Sequence, residues 1–371
     1  MRILQLVSCR GWSSDAYWAA RVTRELERRG HEVTLGCRRG TEKAVIDRAR
    51  GEGVKGIVTF ALASGLEPAS DVADVRRLLA WLRAADVVHV HRGKEHWLAA
   101  VANCLSLHPR PIVRTRHIVQ AVRPHPANRW LYRRATALVV TVTEAIGHQL
   151  VAAGLVAAER VVALQGGADA ETYRPRPPDP VLYRRLGGDR ATPLVGMIAG
   201  VRPMKGHQIV IDAAAQLARS GVAARFAFVG RGTSDQAIRQ AIRRAGLERQ
   251  FALVGFIDDL PAAMGALDLA LYVPLESDGM SRVLFECMAA GRPLIASRVG
   301  AVPEVLVDGE HALLVPAGDA DELASALVRA LGDPGLCTRL GESARQLVSE
   351  RYSGARLAAA LETHYRRLAS V

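Results

Sequence analysis

The sequence predicts an α/β fold of two doubly wound domains facing each other across a cleft, and three observations carry that prediction. Short apolar runs rich in β-branched residues alternate with longer helical stretches from the first residues onward. The alternation halts at Tyr173-Arg174-Pro175-Arg176-Pro177-Pro178-Asp179-Pro180, with four prolines in eight residues, and then restarts. The length of 371 residues accommodates two such domains. Parallel sheets of this kind bind ligands beyond the carboxyl ends of their strands, so glycine-bearing turns there should carry the function.

Arg2–Ser8 reads as the first buried strand, and the opening Met1–Val7 is too short for the core of a signal peptide. Tyr17–Arg29 follows as a helix with Trp18, Val22 and Leu26 on one face, then Glu32–Leu35 as a strand. Further strands are expected at Val54–Ala61, Val87–Val90, Ile112–Arg116 and Leu138–Thr143, with helices at Asp74–Ala84 and Trp97–Leu105. After the proline-rich break, strands are expected at Leu194–Ala199, Arg225–Val229, Phe251–Val254, Leu269–Val273, Pro293–Ser297 and Ala312–Val315. Helices are expected between them at His207–Ser220, Asp235–Ala245, Arg282–Ala290 and Ala320–Leu331. Gly354–Leu368 reads as a final helix with Leu357, Leu361, Tyr365 and Leu368 on one stripe.

Composition excludes several classes. Hydrophobic residues make up 49% and charged residues 23%, which is ordinary for a globular chain with sizeable cores and rules out disorder. No apolar run approaches the roughly 18 residues of a membrane span. Five cysteines (Cys9, Cys37, Cys104, Cys287, Cys337) are scattered and never spaced C-x-x-C, so reduced thiols of a cytosolic protein are expected rather than zinc or disulfides. The net charge is +12, of which residues 1–180 hold +10. The first half is therefore expected to meet something anionic, and nucleic acid, an anionic membrane surface and a phosphorylated substrate all fit.

The most specific stretch is Glu276–Pro316. Asp278 and Glu286 stand eight apart around a glycine-containing turn that opens a helix, whose first N–H groups, at Gly279, Met280 and Ser281, are offered to electron-rich oxygens. Glu286, followed by Cys287-Met288-Ala289-Ala290-Gly291, shows no solvent-face pattern, so it reads as a buried acid in need of a partner that can hold a diol such as ribose. The alternative is an N-capping Asp and a solvated helical Glu. A second motif, Ala199-Gly200-Val201-Arg202-Pro203-Met204-Lys205-Gly206-His207, combines a glycine turn, two cations and a helix start, the ingredients of a diphosphate cradle.

These residues resemble the retaining GT-B glycosyltransferases of family 4, whose signature is an acid, seven residues and a Glu within "EGFG…LEAMAAGKPVIA…GG.PE". The match is close at Met288-Ala289-Ala290-Gly291-Arg292-Pro293 and departs where Asp278 replaces Glu and Met280-Ser281 replaces Phe-Gly. Leu164–Pro175, with Gln165-Gly166-Gly167-Ala168-Asp169, resembles the family's "PNGVD…F.P". The resemblance implies two Rossmann-like domains: an acceptor-side domain at 1–172, a linker at 173–192, a nucleotide-sugar domain at 193–350, and a C-terminal helix at 351–371 crossing back to the first. It assigns Asp278 to the donor sugar, Glu286 to the nucleotide ribose, and Arg202 and Lys205 to the pyrophosphate, with Lys205 at the family's position and Arg202 displaced from it. It also assigns base reading to the loops at Gly230 and at Gly255-Phe256, and places Gly11, in Arg10-Gly11-Trp12, at the loop that approaches sugar and phosphate.

Three histidines compete for the reaction centre. His117 ends the strand Ile112–Arg116 and matches the family position that contacts the donor sugar. It is taken ahead of His91, which with His89 ends another strand and is expected at the edge of the sheet beside Arg92-Gly93-Lys94. His91, Arg92, Lys94 and Arg116 are the acceptor-side candidates. The run 114–134, with Arg114, Arg116, Arg123, Arg129, Arg133 and Arg134 beside Trp130 and Tyr132, fits an anionic membrane interface, a phosphorylated acceptor, or a plain solvated basic face.

The implied activity is metal-independent, hexosyltransferase-like retaining transfer from a nucleotide-diphosphate sugar, UDP rather than GDP, to a hydroxyl acceptor, with a lipid-linked one among the candidates. No other cofactor, no metal and no nucleic acid is expected; Asp258-Asp259 is adjacent, not spaced as a metal pair. The setting is cytoplasmic, at the inner face of a membrane, in envelope polysaccharide, lipopolysaccharide or glycolipid synthesis. Non-hydrolysing nucleotide-sugar epimerases share the architecture, and a basic non-catalytic binding protein is a further alternative. A nicotinamide oxidoreductase requires G-x-G-x-x-G after the first strand, which Ser8-Cys9-Arg10-Gly11-Trp12 lacks.

Overall fold

A computed structural model describes residues 1–277, 279 and 282–370. The chain forms two compact units, Met1–Gly167 with the segment from Gly354 onward, and Ala168–Ser353.

In the first unit seven parallel strands, β1 (Arg2–Val7), β2 (Glu32–Arg38), β3 (Gly56–Phe60), β4 (Val87–Val90), β5 (Ile112–Arg116), β6 (Leu138–Thr141) and β7 (Val161–Ala163), stand in the order β3-β2-β1-β4-β5-β6-β7. Ile3 is in register with both Val33 and Val87, so the order reverses between β1 and β4. Every residue of β4, β5 and β6 is buried, as helices on both faces require. The helix Ser14–Arg28 starts three residues before the expected point, with Ser13 at its N-cap, and buries Trp18, Val22 and Leu26. The terminal helix Gly354–Ala369 belongs to this unit and buries Leu357, Leu361 and Tyr365. Its Glu362 takes Arg29 Nε at 2.5 Å, and its Tyr365 hydroxyl meets His89 Nδ1.

The second unit repeats the plan with β8 (Leu194–Ile198), β9 (Arg225–Val229), β10 (Phe251–Gly255), β11 (Leu269–Tyr272), β12 (Leu294–Ser297) and β13 (Leu313–Val315), ordered β10-β9-β8-β11-β12-β13 and parallel throughout. Side chains alternate between two cores: Leu194 and Ile198 join Phe285 and Met288 on one face, whereas Val195 and Met197 join Val210, Ile211 and Leu323 on the other. The reversal here lies between β8 and β11. Residues 173–192, expected as a linker, are packed into this unit. Tyr173 and Leu186 sit in its core, and Pro180 opens a short helix, Pro180–Arg185, capped by Asp179, whose Oδ1 accepts from Leu182 N at 2.7 Å. Among the described residues no helix is long and apolar enough to cross a membrane.

Candidate active site

In the second unit the candidate loops gather where the strand order reverses, beyond the carboxyl ends of β8 and β11. After β8 the chain runs to a 3-10 turn, Pro203–Lys205, and then to Gly206 at φ +81 ahead of the helix His207–Arg219. A Cβ on Gly206 would lie 2.1 Å from Val273 O, so only glycine fits this close approach to the end of β11. Leu275 N donates to Met204 O at 2.8 Å, which ties the loop after β11 to the turn bearing Lys205. Arg202 is exposed and has no ion pair among the described residues.

The neighbouring loops close on the same edge. Gly230 lies against the backbone after β8, where a Cβ would meet Ala199 O at 2.2 Å. Gly230 N donates to Gly255 O at 2.7 Å, and Thr233 Oγ1 accepts from Gly255 N at 3.0 Å, so the two glycine loops named from the sequence are joined. Phe256 is half exposed beneath the Arg231 guanidinium, which stands 5.3 Å from the ring centre. Sequence reasoning missed Arg231 as a partner, because nothing in a G-x-G turn says which ring its middle residue covers.

Gly279, at φ +101, donates its N–H to Ser277 Oγ at 3.2 Å. Asp278, Met280 and Ser281 lie outside the described residues. In the helix Arg282–Ala289, Glu286 is 0% exposed, which excludes the solvated alternative. Its Oε1 accepts from Arg282 Nε at 2.6 Å, while Oε2 is buried without a hydrogen-bond partner among the described residues. Arg282 was not singled out from the sequence, although its spacing four before Glu286 is the signal for a helical ion pair. A buried carboxyl oxygen left open is an acceptor waiting for a donor such as a hydroxyl.

In the first unit β4 is the middle strand of the sheet, so His91 is not at an edge: it follows β4 and is 2% exposed. His89, His91 and His117 stack in one buried column beside Trp18, whose ring stands edge-on in T-shaped contact with each, and successive imidazole centres are 4.6 and 5.3 Å apart. His91 Nε2 lies 3.0 Å from Gln5 Oε1, and His91 Nδ1 lies 3.0 Å from His117 Nε2. Gln5 Nε2 donates to Thr23 Oγ1 at 3.1 Å, which leaves Gln5 Oε1 as an acceptor. His91 therefore donates from Nε2 and accepts at Nδ1, and His117 carries its proton on Nε2. His117 Nδ1 is the unprotonated atom and has no partner among the described residues. Burial holds all three rings neutral: it pushes His117 and His89 down to about 3 and His91 well below its ordinary value.

The acceptor-side candidates all have partners within the unit. Both ring nitrogens of His91 are taken, Arg92 Nε pairs with Asp15 at 2.5 Å, Lys94 pairs with Asp71 at 2.5 Å, and Arg116 is 9% exposed with its Nη2 on Gln120 O. Burial of Asp15 favours its neutral form, but the Arg92 hydrogen bond and charge outweigh burial and hold the carboxyl well below the usual range. Gly11 faces open space: a Cβ there meets nothing within 4 Å. Arg114 and Tyr132 are buried as well, so the basic run 114–134 keeps only Arg123, Arg129, Arg133 and Arg134 as an exposed face, beside the partly exposed Trp130.

The chain matches two families, Glycosyltransferase Family 4 over residues 16–172 and Glycosyl transferases group 1 over residues 192–333. It is 30% identical to a D-inositol 3-phosphate glycosyltransferase of Frankia alni, over 70% of this chain and 69% of that one. It is 27% identical to a 2-deoxystreptamine glucosyltransferase of Streptomyces kanamyceticus, over 86% of each. Its fold is that of Anabaena Alr3699/HepE, solved in complex with UDP, at a TM-score of 0.83 and 21% identity over 99% of this chain and 100% of that one. Family models, relatives and fold agree: this chain is an enzyme of the GT-B glycosyltransferases and belongs to their family 4.

Proposed function

We propose that this enzyme transfers a sugar with retention from a UDP-sugar to a hydroxyl acceptor, holding the donor on the second unit. One observation carries the reading: Glu286 is sealed from water with one carboxyl oxygen on Arg282 and the other without a partner among the described residues, on the edge that also bears the Lys205 turn. A ribose hydroxyl supplies the donor that the open oxygen lacks. Lys205 and the exposed Arg202 are assigned to the pyrophosphate, where they stabilise charge developing on the departing UDP. The joined loops of Gly230, Gly255 and Phe256 are assigned to the base. Asp278 and His117 keep the roles toward the donor sugar that the family resemblance gives them, and the N–H groups of Gly279, Met280 and Ser281 are assigned to donor oxygens.

In this reading the acceptor oxygen bonds to the anomeric carbon from the face that the diphosphate leaves. The bond from that carbon to the phosphate oxygen breaks, and the acceptor proton passes to the leaving phosphate. No metal is assigned a role, since Lys205, Arg202 and helix-end N–H groups supply the positive field. The UDP assignment is supported by a neighbour of the same fold solved in complex with UDP and glucose. The setting assigned is glycoconjugate synthesis at the cytoplasmic face of a membrane, with a lipid-linked acceptor. Its support is the exposed Arg123, Arg129, Arg133 and Arg134 beside Trp130, which stacks on Trp97 at 5.9 Å. Flotation with anionic and neutral liposomes tests that setting, and equal flotation with both contradicts it.

Thermal stabilisation across the nucleoside diphosphates tests the donor. UDP should raise the melting temperature of the native protein more than GDP or ADP, and Lys205→Ala should abolish the rise. Equal stabilisation by all bases, or an unchanged response in Lys205→Ala, would overturn the assignment. Incubation with the UDP-sugar alone should give no epimer.

A further inference from the structure

The first unit carries an all-donor cluster at the carboxyl ends of β1, β2 and β3 that the acceptor-side candidates do not include. Arg10, just after β1, donates from Nε (3.2 Å) and Nη2 (2.5 Å) to Ser64 Oγ, and Arg38, which ends β2, donates from Nη1 to the same oxygen at 2.6 Å. The two guanidinium groups thus stand within about 5 Å of each other, and neither has an ion pair among the described residues. The carboxylates nearest these loops in sequence have other partners: Asp71 pairs with Lys94, Glu42 accepts from Gly40 N, and Glu67 accepts from Ser70 Oγ at 3.4 Å. Like charges this close repel, and an anion between them removes that repulsion.

The loop that presents Ser64 is fixed before any ligand arrives. Leu62 is buried with φ +40, a left-handed conformation rare for leucine. The buried Asp74 holds it there by accepting from Ala61 N (2.9 Å) and Leu62 N (2.8 Å), and Lys94 Nζ donates to Gly65 O at 2.7 Å on the other side of Ser64. A hydroxyl has two lone pairs and one proton. The two arginines take the lone pairs of Ser64, so its O–H points outward as a donor. What these three side chains offer a ligand is therefore guanidinium N–H and one O–H.

We propose that Arg10, Arg38 and Ser64 bind an anionic group of the acceptor, a phosphate monoester or phosphodiester. This rests on the reading that the first unit receives the acceptor, and it deepens that reading by fixing the acceptor's charge. Guanidinium forks match phosphate oxygens, and a site with donors only rejects an ammonium. The cluster thus separates two kinds of relative, those named for inositol 3-phosphate and those named for the aminocyclitol 2-deoxystreptamine. It sides with the former.

The test uses the full chain saturated with UDP, so that the donor phosphates are already in place. Inorganic phosphate is titrated by calorimetry at constant ionic strength, with 2-deoxystreptamine in a parallel cell. The native protein should bind phosphate saturably and ignore 2-deoxystreptamine, and the double variant Arg10→Gln/Arg38→Gln should bind phosphate at least tenfold more weakly. Ser64→Ala, which removes only the hydroxyl, should weaken binding severalfold, and Arg10→Lys/Arg38→Lys should bind between native and Gln variant. D-inositol 3-phosphate against vesicles of equal parts phosphatidylcholine and phosphatidylinositol then tells a free phosphate ester from a lipid headgroup. Phosphate affinity equal in the native protein and the Gln variant, or 2-deoxystreptamine binding in preference to phosphate, overturns the proposal. Failure of UDP itself to bind overturns the donor reading instead, and the phosphate titration still judges the cluster.

Discussion

Truncating Glu286 to alanine separates a ligand-holding carboxylate from a structural one. Among the described residues the side chain has one hydrogen bond, from Arg282 Nε at 2.6 Å, and one buried oxygen without a partner. The lost ion pair and the unmet acceptor act in opposite directions, by about 1–3 kcal/mol each. Breaking a fully buried pair would cost about 3–5 kcal/mol by stranding a charge, but the Arg282 side chain is 23% exposed and reaches water. The free protein should therefore lose no more than about 1 kcal/mol, a shift of roughly 2–4 °C in melting temperature. Ligand affinity is another matter. A hydrogen bond to a charged group contributes about 1.5–3 kcal/mol, so UDP should bind ~10- to 150-fold more weakly. Calorimetric titration with UDP and a thermal melt of the same samples give both numbers. A melting point lowered by 10 °C or so with UDP affinity unchanged would show that Glu286 holds the helix and not the nucleotide.

Two other outcomes follow from the structure. Gly206→Ala places a Cβ 2.1 Å from Val273 O at φ +81, so it should destabilise the second unit by about 1–3 kcal/mol or more and weaken UDP binding; a melt and a titration check both. The buried histidines set an acid limit. Their folded pKa values lie below the unfolded value near 6.5, so the unfolded chain binds more protons below that pH. Stability should be full above pH 6.5 and fall as pH drops toward about 3, by about 1.4 kcal/mol per pH unit for each ring that stays neutral. Denaturant melts between pH 7.5 and 4.5 read that slope, and a flat profile contradicts the neutral column.

Much of the fold was legible because parallel strands buried on both faces are continuous apolar runs, as at Leu138–Val140 and Leu194–Ile198. The helices Glu144–Ala152 and Pro334–Leu347 went unmarked, the second because its buried stripe is only Leu336, Leu340, Gly341 and Ala344. In the proline-rich stretch Pro180 opens a helix, and a proline that fits the first turn of a helix looks the same in sequence as one in a linker.

At the site, local signals did well and distant ones did not. Glu286 was readable as a buried acid from its apolar neighbours, and Lys205-Gly206 as a turn. Gln5, which sets the His91 and His117 tautomers, is 86 residues from its partner His91. Ser64, which gathers Arg10 and Arg38, is equally invisible, since nothing local says that three loops from three strands converge.

The most direct measurement follows the anomeric proton of the first sugar product when the native enzyme is given UDP-glucose with water as the accepting hydroxyl, with UDP release recorded alongside. The account predicts UDP release with the α configuration kept. A β product, or no UDP release with any UDP-sugar, would contradict it.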